Sequence, residues 1–579
     1  MKKMSSLKKM KKTMTKKISL ARKAFLLSFP FLLPAFSGAL LAEEEEGVEE
    51  RREITEEIEV VKPYQPSIQD FRKEAIEPDE ATEIPRTEFP EIDVVSTLQA
   101  AKDIKAPSPA IDPAPVRDPV LDHLFDHYVR LAAGNYRNIT GEYHFNSTRS
   151  RKNHYSGYVK HNSGSGPLEH SGVGLKEVSL TGKRIFNRNS LQANLEGSHN
   201  IYHYYGDGLG DIVDDNDSIQ QRYNKFGGDV TWRSINDHNR IWKYRLNTGY
   251  NFFSNDDDVT NHHLGTEGEI ALDLDRIDLR LSGSHHWDAY SQESEDIAID
   301  TSMDNHLIKL KPHATLNSEV MDLRLGLNLA RDQVGEESEF YLHPDFFFSY
   351  GIAGDFLHLY TGLTGQVKHH SHASHAEENP FFSRNFTNIR NTNEQFEIFG
   401  GAKGTFTNQT GFDLRVSYHN IEDKPFFRSI GTPLCQSQFD PVYDDGTTVL
   451  LKVDADLEYD LRERIQVFFG GTFQNYNLSS LDHAYHEPTL EGSLRGRFDI
   501  TDELTVELET IAMDERYGTS GDEGEFDGFI DLNAGASYEI SSHFSAFAEA
   551  NNLLNNNYEI WHNYPVRGFH FQLGGTVQF

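Results

Sequence analysis

The chain has 579 residues, with 55 basic against 90 acidic side chains, a formal net charge of −35 and a single cysteine, Cys435. Such an acidic balance argues against a nucleic-acid partner, which is held through its phosphates, and one cysteine leaves no intrachain disulfide to form. Mean hydropathy is −0.59. That value does not exclude a membrane barrel, in which lipid-facing and lumen-facing residues alternate and cancel in any averaging window.

In chain order, residues 1–23 carry ten Lys or Arg and no acid, and the apolar stretch "AFLLSFPFLLPAFSGALLA" and the acids Glu43 to Glu46 follow. A basic start, an apolar stretch interrupted by Pro30 and Pro34 and a small-residue site, with Ala42 or the Ser37-Gly38-Ala39 triplet as candidate cleavage points, make residues 1–42 a signal peptide, the alternative being a retained anchor. No cysteine follows the stretch to carry a lipid. Removing residues 1–42 takes away ten positive charges and no negative ones, leaving 45 basic against 90 acidic side chains. Residues 43–125 are acidic and hold ten prolines between Pro63 and Pro119, a composition that favours extended chain over a packed domain.

From residue 126 to 579 the sequence alternates. In the last strand Phe569, Phe571, Leu573, Gly575, Val577 and Phe579 share one face, and His570, Gln572, Gly574, Thr576 and Gln578 the other. Val449, Leu451, Val453, Ala455, Leu457 and Tyr459 alternate with Lys452, Asp454, Asp456 and Glu458, and Ile277, Leu279 and Leu281 with Asp278, Arg280 and Ser282. The runs of Leu323, Leu325, Leu327 and Leu329 and of Leu504, Val506 and Leu508 repeat the pattern. A period of two, not 3.6, predicts strands. A soluble sandwich would also alternate, but about 22 segments of roughly 10 to 15 residues suit a large transmembrane barrel. The connections agree: short turns near 187–189, 236–239, 317–319 and 501–503 interleave with long polar loops at 206–218, 292–303, 369–393, 422–446 and 519–527. The predicted fold is therefore all-β, an antiparallel transmembrane barrel without helices.

The ending "FAEANNLLNNNYEIWHNYPVRGFHFQLGGTVQF" resembles the closing hairpin of TonB-dependent outer-membrane receptors. Asn552-Leu553-Leu554-Asn555 and Tyr558 match the family's Asn-Leu-Phe-Asn element and following Tyr, and Pro565, Arg567 and Gly568 stand in altered order for its Pro-Gly-Arg turn. The resemblance implies outer-membrane transport, lipid and lipopolysaccharide as surroundings, and a strand read by the barrel-insertion machinery through Phe571, Leu573, Val577 and Phe579. It also implies a plug domain, which residues 43–125 are too few to build; the layout looks like a plugless variant in which the Pro-rich segment replaces the plug. Within it "TEEIEVVKPY" resembles the box that contacts TonB, making Glu57, Ile58, Glu59, Val60 and Val61 the contact candidates.

Three functional classes stay open at this point: a TonB-dependent-like transport barrel, a passive or gated porin with an acidic lumen, and a surface adhesin or scaffold. No nucleophile elbow, His-Glu-x-x-His or phosphate loop occurs, so no enzyme and no cofactor is expected. "KHHSHASH" places His369, His370, His372 and His375 beside Glu377 and Glu378 in one loop, a donor set suited to zinc, copper or nickel. With 27 histidines in the chain, including pairs at His262-His263 and His285-His286, some clustering arises without function. The acidic stretches "GDGLGDIVDDNDS" and "SNDDDVTN" lack the fixed spacing of a calcium loop and read as solvated surface.

Overall fold

A computed structural model describes residues 125–579 apart from 149, 167, 169–170, 207–218, 236–240, 275, 293–300, 353–355, 384–388, 408, 433–434, 462–463 and 522–523. The signal peptide, the Pro-rich segment and the box at Glu57, Ile58, Glu59, Val60 and Val61 lie outside the described residues.

Among the described residues, 22 strands form one antiparallel sheet that closes on itself. Each strand pairs with the next in sequence, and the first, His127–Gly134, pairs with the last, His570–Gln578, through Tyr128 opposite Gln578 to Gly134 opposite Gln572. Closure leaves no edge, which is the condition for a sheet to sit in hydrocarbon. On the lumen side of the seam Arg130 and Gln572 both donate to the carboxylate of Glu549. The Phe579 carbonyl accepts from the backbone of Asp126 at 3.1 Å and His127 at 3.0 Å, and its ring stacks on His127.

The alternation read from the sequence is the alternation of the two faces. Leu195, Trp232, Leu279, Leu325, Leu573 and Phe579 are exposed on the outer surface, while their lumen-facing neighbours join polar ladders, such as Asn194 to Asp229 at 2.9 Å and Asn247 to Asp229 at 2.8 Å. Of the assembly-signal candidates, Phe571, Leu573 and Phe579 stand outward on the seam strand and Val577 is half-buried.

Both chain ends of the barrel lie at the end with short turns. There the connections are as brief as 186–188, 275–276, 318–320 and 542–543, whereas the other end carries 369–391, 423–447 and 552–569. Short turns on one side and long loops on the other identify the long-loop end as external. Strands such as Thr301–Asn317 have 17 residues, which at about 3.3 Å each and a tilt near 45° span roughly 40 Å, so they rise beyond the hydrocarbon and lift the loops clear of it.

One element departs from the expected helix-free reading. The histidine loop contains a short helix, α1, His372–Glu378. Ser371 caps it by accepting from the Ser374 amide, and the Ser374 hydroxyl closes the reciprocal bond to the Ser371 amide at 2.8 Å. At seven residues it is too short for periodicity to reveal.

The face assignment predicts that Leu195→Arg, near the middle of its strand on the lipid side, destabilises the folded barrel by about 2–4 kcal/mol. Asn194→Arg, one residue away but facing the lumen beside Asp229, changes stability by under about 1 kcal/mol. Urea unfolding of the two variants in lipid vesicles compares them; equal costs would contradict the assignment.

Candidate functional site

The external loops do not stand apart as solvated arms. Tyr204, Ile219, Tyr223, Phe253, Ala376, Phe382, Phe427, Phe439 and Tyr564 form one buried apolar cluster, with Phe381 and Trp561 packed against it. Its members come from loops that are far apart in sequence and from the external ends of two strands. Phe381 stacks on Tyr564 with centroids 3.5 Å apart, and Trp561 meets Phe427 and Phe439 at 5.6 and 5.4 Å.

Backbone bonds tie the layer together. The hairpin Phe426–Thr432 with Cys435–Val442 reaches across to the helix loop, where Ser383 N donates to Phe439 O at 2.9 Å and Phe439 N to Phe381 O at 3.1 Å. Three tyrosines clamp the same region: Tyr204 Oη donates to Phe382 O at 2.7 Å, Tyr223 Oη to Pro380 O at 3.1 Å and Tyr205 Oη to Pro565 O at 3.2 Å. Arg516 is buried and donates to Glu559 O and Ile560 O at 2.6 and 2.9 Å, holding the last long loop down.

The asparagines of the closing hairpin now have a physical role. Asn552 and Asn555 adopt φ of 48° and 51°, a left-handed conformation that Asn tolerates better than most residues. The Asn552 amide donates to Asn556 O at 2.8 Å and Arg567 O at 2.9 Å, so one buried side chain joins both feet of the loop. Asn555 Oδ1 accepts from Phe569 N at 2.8 Å, and Tyr558 donates to Asp531 at 2.9 Å.

The four histidines of "KHHSHASH" separate. His372 and His375 are fully buried on α1, with His375 against Phe382 and Phe427 and His372 against Phe253. His370 bonds Thr392 Oγ1 at 2.9 Å and stacks on His375 at 5.2 Å. His369 points elsewhere, onto the barrel wall, where its Nε2 lies 2.5 Å from Asp288 Oδ2. Glu377 pairs with Lys225 at 2.6 Å, and burial raises the Glu378 carboxyl. Of "SNDDDVTN", Asn255 Oδ1 accepts from the amides of Asp257 and Val259, which makes it a turn brace; most of "GDGLGDIVDDNDS" lies outside the described residues.

Two groups of metal-type donors occur among the described residues, and both stand at the external end of the barrel wall. His263, Asp288 and His369 form one; Glu394, Glu397 and His419 form the other. The second already has its countercharges, Lys368 on Glu394 at 3.4 Å and Arg415 on Glu397, so it is an ion-pair network. The first has histidines alone as ion-pair partners of Asp288 among the described residues. His263, Asp288 and the adjacent His286 were not singled out from the sequence. The two His-His pairs lie on either side of the turn at 275–276, and the hairpin register brings them near one another, with His263 opposite Asp288 and His286 opposite Gly265.

No protein-family model matches this sequence, and no curated protein matches it. Solved structures do. The chain resembles the ferric-catecholate import receptor Fiu from E. coli K12, with a TM-score of 0.60 at 11% identity over 79% of this chain and 82% of that one. It resembles the siderophore receptor PirA from Acinetobacter baumannii equally, at 0.60 and 11% over 79% and 81%. The copper transporter OprC gives 0.61 at 12% over 80% and 84%. What is shared is the fold.

Three histidines, His375 buried and His370 and His486 half-buried, make the loop layer sensitive to pH. Burial pushes the His370 ring down to about 4 and the His486 ring to about 3, and lowers His375 as well. Most groups facing them push the same way: His369, Lys424 and Lys368 around His370, His370 and His372 beside His375, and Arg516 and His562 around His486, where only the Phe427 carbonyl bonded to the ring opposes the shift. An opened layer would return these rings toward their ordinary value near 6.5, so the open form binds more protons once pH falls below that value. The closed layer is thus fully stable above about pH 6.5 and loses roughly 1–2 kcal/mol at each of His370 and His486 by pH 5, with His375 acting in the same direction. Trp561 emission should be blue-shifted at pH 7.5 and move to the red at pH 5, with a Trp561→Phe variant subtracting the other tryptophans. Identical spectra at the two pH values would contradict this.

Proposed function

We propose that the chain is an outer-membrane transport barrel of the TonB-dependent receptor type, exported by the signal peptide at residues 1–42 and inserted through its aromatic-rich last strand. The observation that carries the reading is the loop layer: a 22-stranded barrel is wide enough to conduct, and here its external mouth holds an apolar core spanning several loops. A passive porin has no use for such a layer, whereas a receptor that binds before it releases does. The structural neighbours named as import receptors and a transporter support the same reading, as does the closing hairpin.

In this proposal residues 43–125 stand in for a plug, and Glu57, Ile58, Glu59, Val60 and Val61 carry the energy coupling by contacting TonB. The surrounding lipid and lipopolysaccharide face the outer apolar belt, and the protein transports without catalysing a reaction.

Planar-bilayer recording tests this directly. The unaltered protein should give no large steady conductance; a variant lacking residues 43–125 and carrying Phe382→Asp and Phe439→Asp, which place charge in the loop core, should give one. Steady conductance from the unaltered protein would establish a porin and overturn the receptor reading. Coupling is a separate arm: a peptide of residues 55–64 should bind the host's TonB C-terminal domain, and absence of binding would remove the energised step while leaving the barrel.

A further inference from the structure

The lumen wall beneath the loop layer holds a cluster that the receptor reading does not use. Asp288 is 1% exposed, and its two oxygens are divided between two rings, His263 Nδ1 on Oδ1 at 3.0 Å and His369 Nε2 on Oδ2 at 2.5 Å. His286 completes the group, its ring 4.8 Å from His369 and 5.7 Å from His263, and its buried Nδ1 has no hydrogen-bond partner. Strand register produces this arrangement: His263 lies opposite Asp288 and Gly265 opposite His286, so the two rings and the carboxylate share the inward face. His369 descends onto them from the loop that carries α1.

The grouping is costly as it stands. A buried carboxylate is unfavourable without a compensating positive charge, and its other contacts, the Asn261 amide at 3.2 Å and the Tyr290 hydroxyl, are neutral. We propose that His263, Asp288 and His369, with His286 as the adjacent fourth donor, bind a divalent first-row transition ion. The donor atoms of the first three all lie within 4.8 Å of one another. Bonds of about 2.0–2.1 Å in a tetrahedral zinc site separate its ligand atoms by roughly 3.4 Å, so the pairs now hydrogen-bonded at 3.0 and 2.5 Å need to part by less than about 1 Å, and a pair at the 4.8 Å limit needs to close by about 1.4 Å. Imidazole and carboxylate without sulfur select zinc, nickel, cobalt or copper(II) over calcium or magnesium.

The site has an outlet. His263 and His286 also line a cavity of about 530 Å³ on the lumen wall, whose other walls include Asp229, Asn247, Asn251 and Glu267. An ion released from the rings meets a polar groove, in which Asp229 and Glu267 stand beside Arg233 and Arg245, and not the lipid face. This inference rests on the transport reading for its direction of travel, but the binding itself does not.

The test is a titration of the full-length protein in detergent micelles at pH 7.5 with zinc chloride, and with cobalt chloride read by visible absorption. One ion should bind per chain, with cobalt bands of a nitrogen- and oxygen-ligated site, and calcium should not compete. Asp288→Asn and His263→Gln should each weaken zinc binding at least 10-fold. His285→Gln and His262→Gln, the sequence neighbours on the lipid side of the same strands, should leave it unchanged, and the folded barrel's resistance to SDS reports that each variant has assembled. No stoichiometric zinc binding, or equal losses from the inward and outward variants, would overturn the site. A silent bilayer with zinc bound, or zinc unbound in a silent barrel, separates failure of this site from failure of the receptor reading.

Discussion

A strand in hydrocarbon cannot leave its amide and carbonyl groups unpaired, and the seam between the first and last strands is where this chain meets that requirement. Pairing His127–Gly134 with His570–Gln578 closes the sheet and removes its edges. Once closed, each strand must show lipid one face and the lumen the other, so the inner face becomes the only place for charge. Asp454, Glu549, Asp229 and the His263–Asp288 group all sit there for the same reason.

Closure also creates the problem that the loops address. A ring this wide encloses space that side chains from the wall cannot fill. The external loops supply the missing material with aromatic side chains, and they are held in place by backbone bonds and by buried Tyr, Asn and Arg side chains bridging one loop to the next. Because these tethers link loops far apart in sequence, the layer behaves as one body: loosening the hairpin at Phe439 also releases Phe381, Phe382 and α1. Burying histidines in it makes the same body responsive to acid.

The barrel was legible from the sequence because side-chain alternation has a period of two and any other register would turn charge toward lipid. The strand count, the outward set from Leu279 to Phe579 and the ends bearing short turns and long loops all followed from that one signal. The loop layer was not legible, since Phe382, Phe439 and Tyr564 meet only in three dimensions and each lies in a segment that reads as polar. Helix α1 escaped because its cap uses Ser374 where Glu or Gln usually marks a capping box. The histidine loop drew attention as a cluster along the chain, yet its members disperse, and the grouping that forms instead joins His369 to residues about a hundred positions earlier through strand register. Proximity in sequence is a poor guide to proximity in a barrel, where neighbours on a face are set by hairpin symmetry.

A sealed mouth requires the loops to be a packed layer. Amide hydrogen exchange on the full-length protein at pH 7.5 measures this most directly. Phe382, Ser383 and Phe439 should exchange as slowly as amides in the mid-barrel strand Asn189–His203; exchange within seconds at those three positions, with the barrel protected, would contradict it.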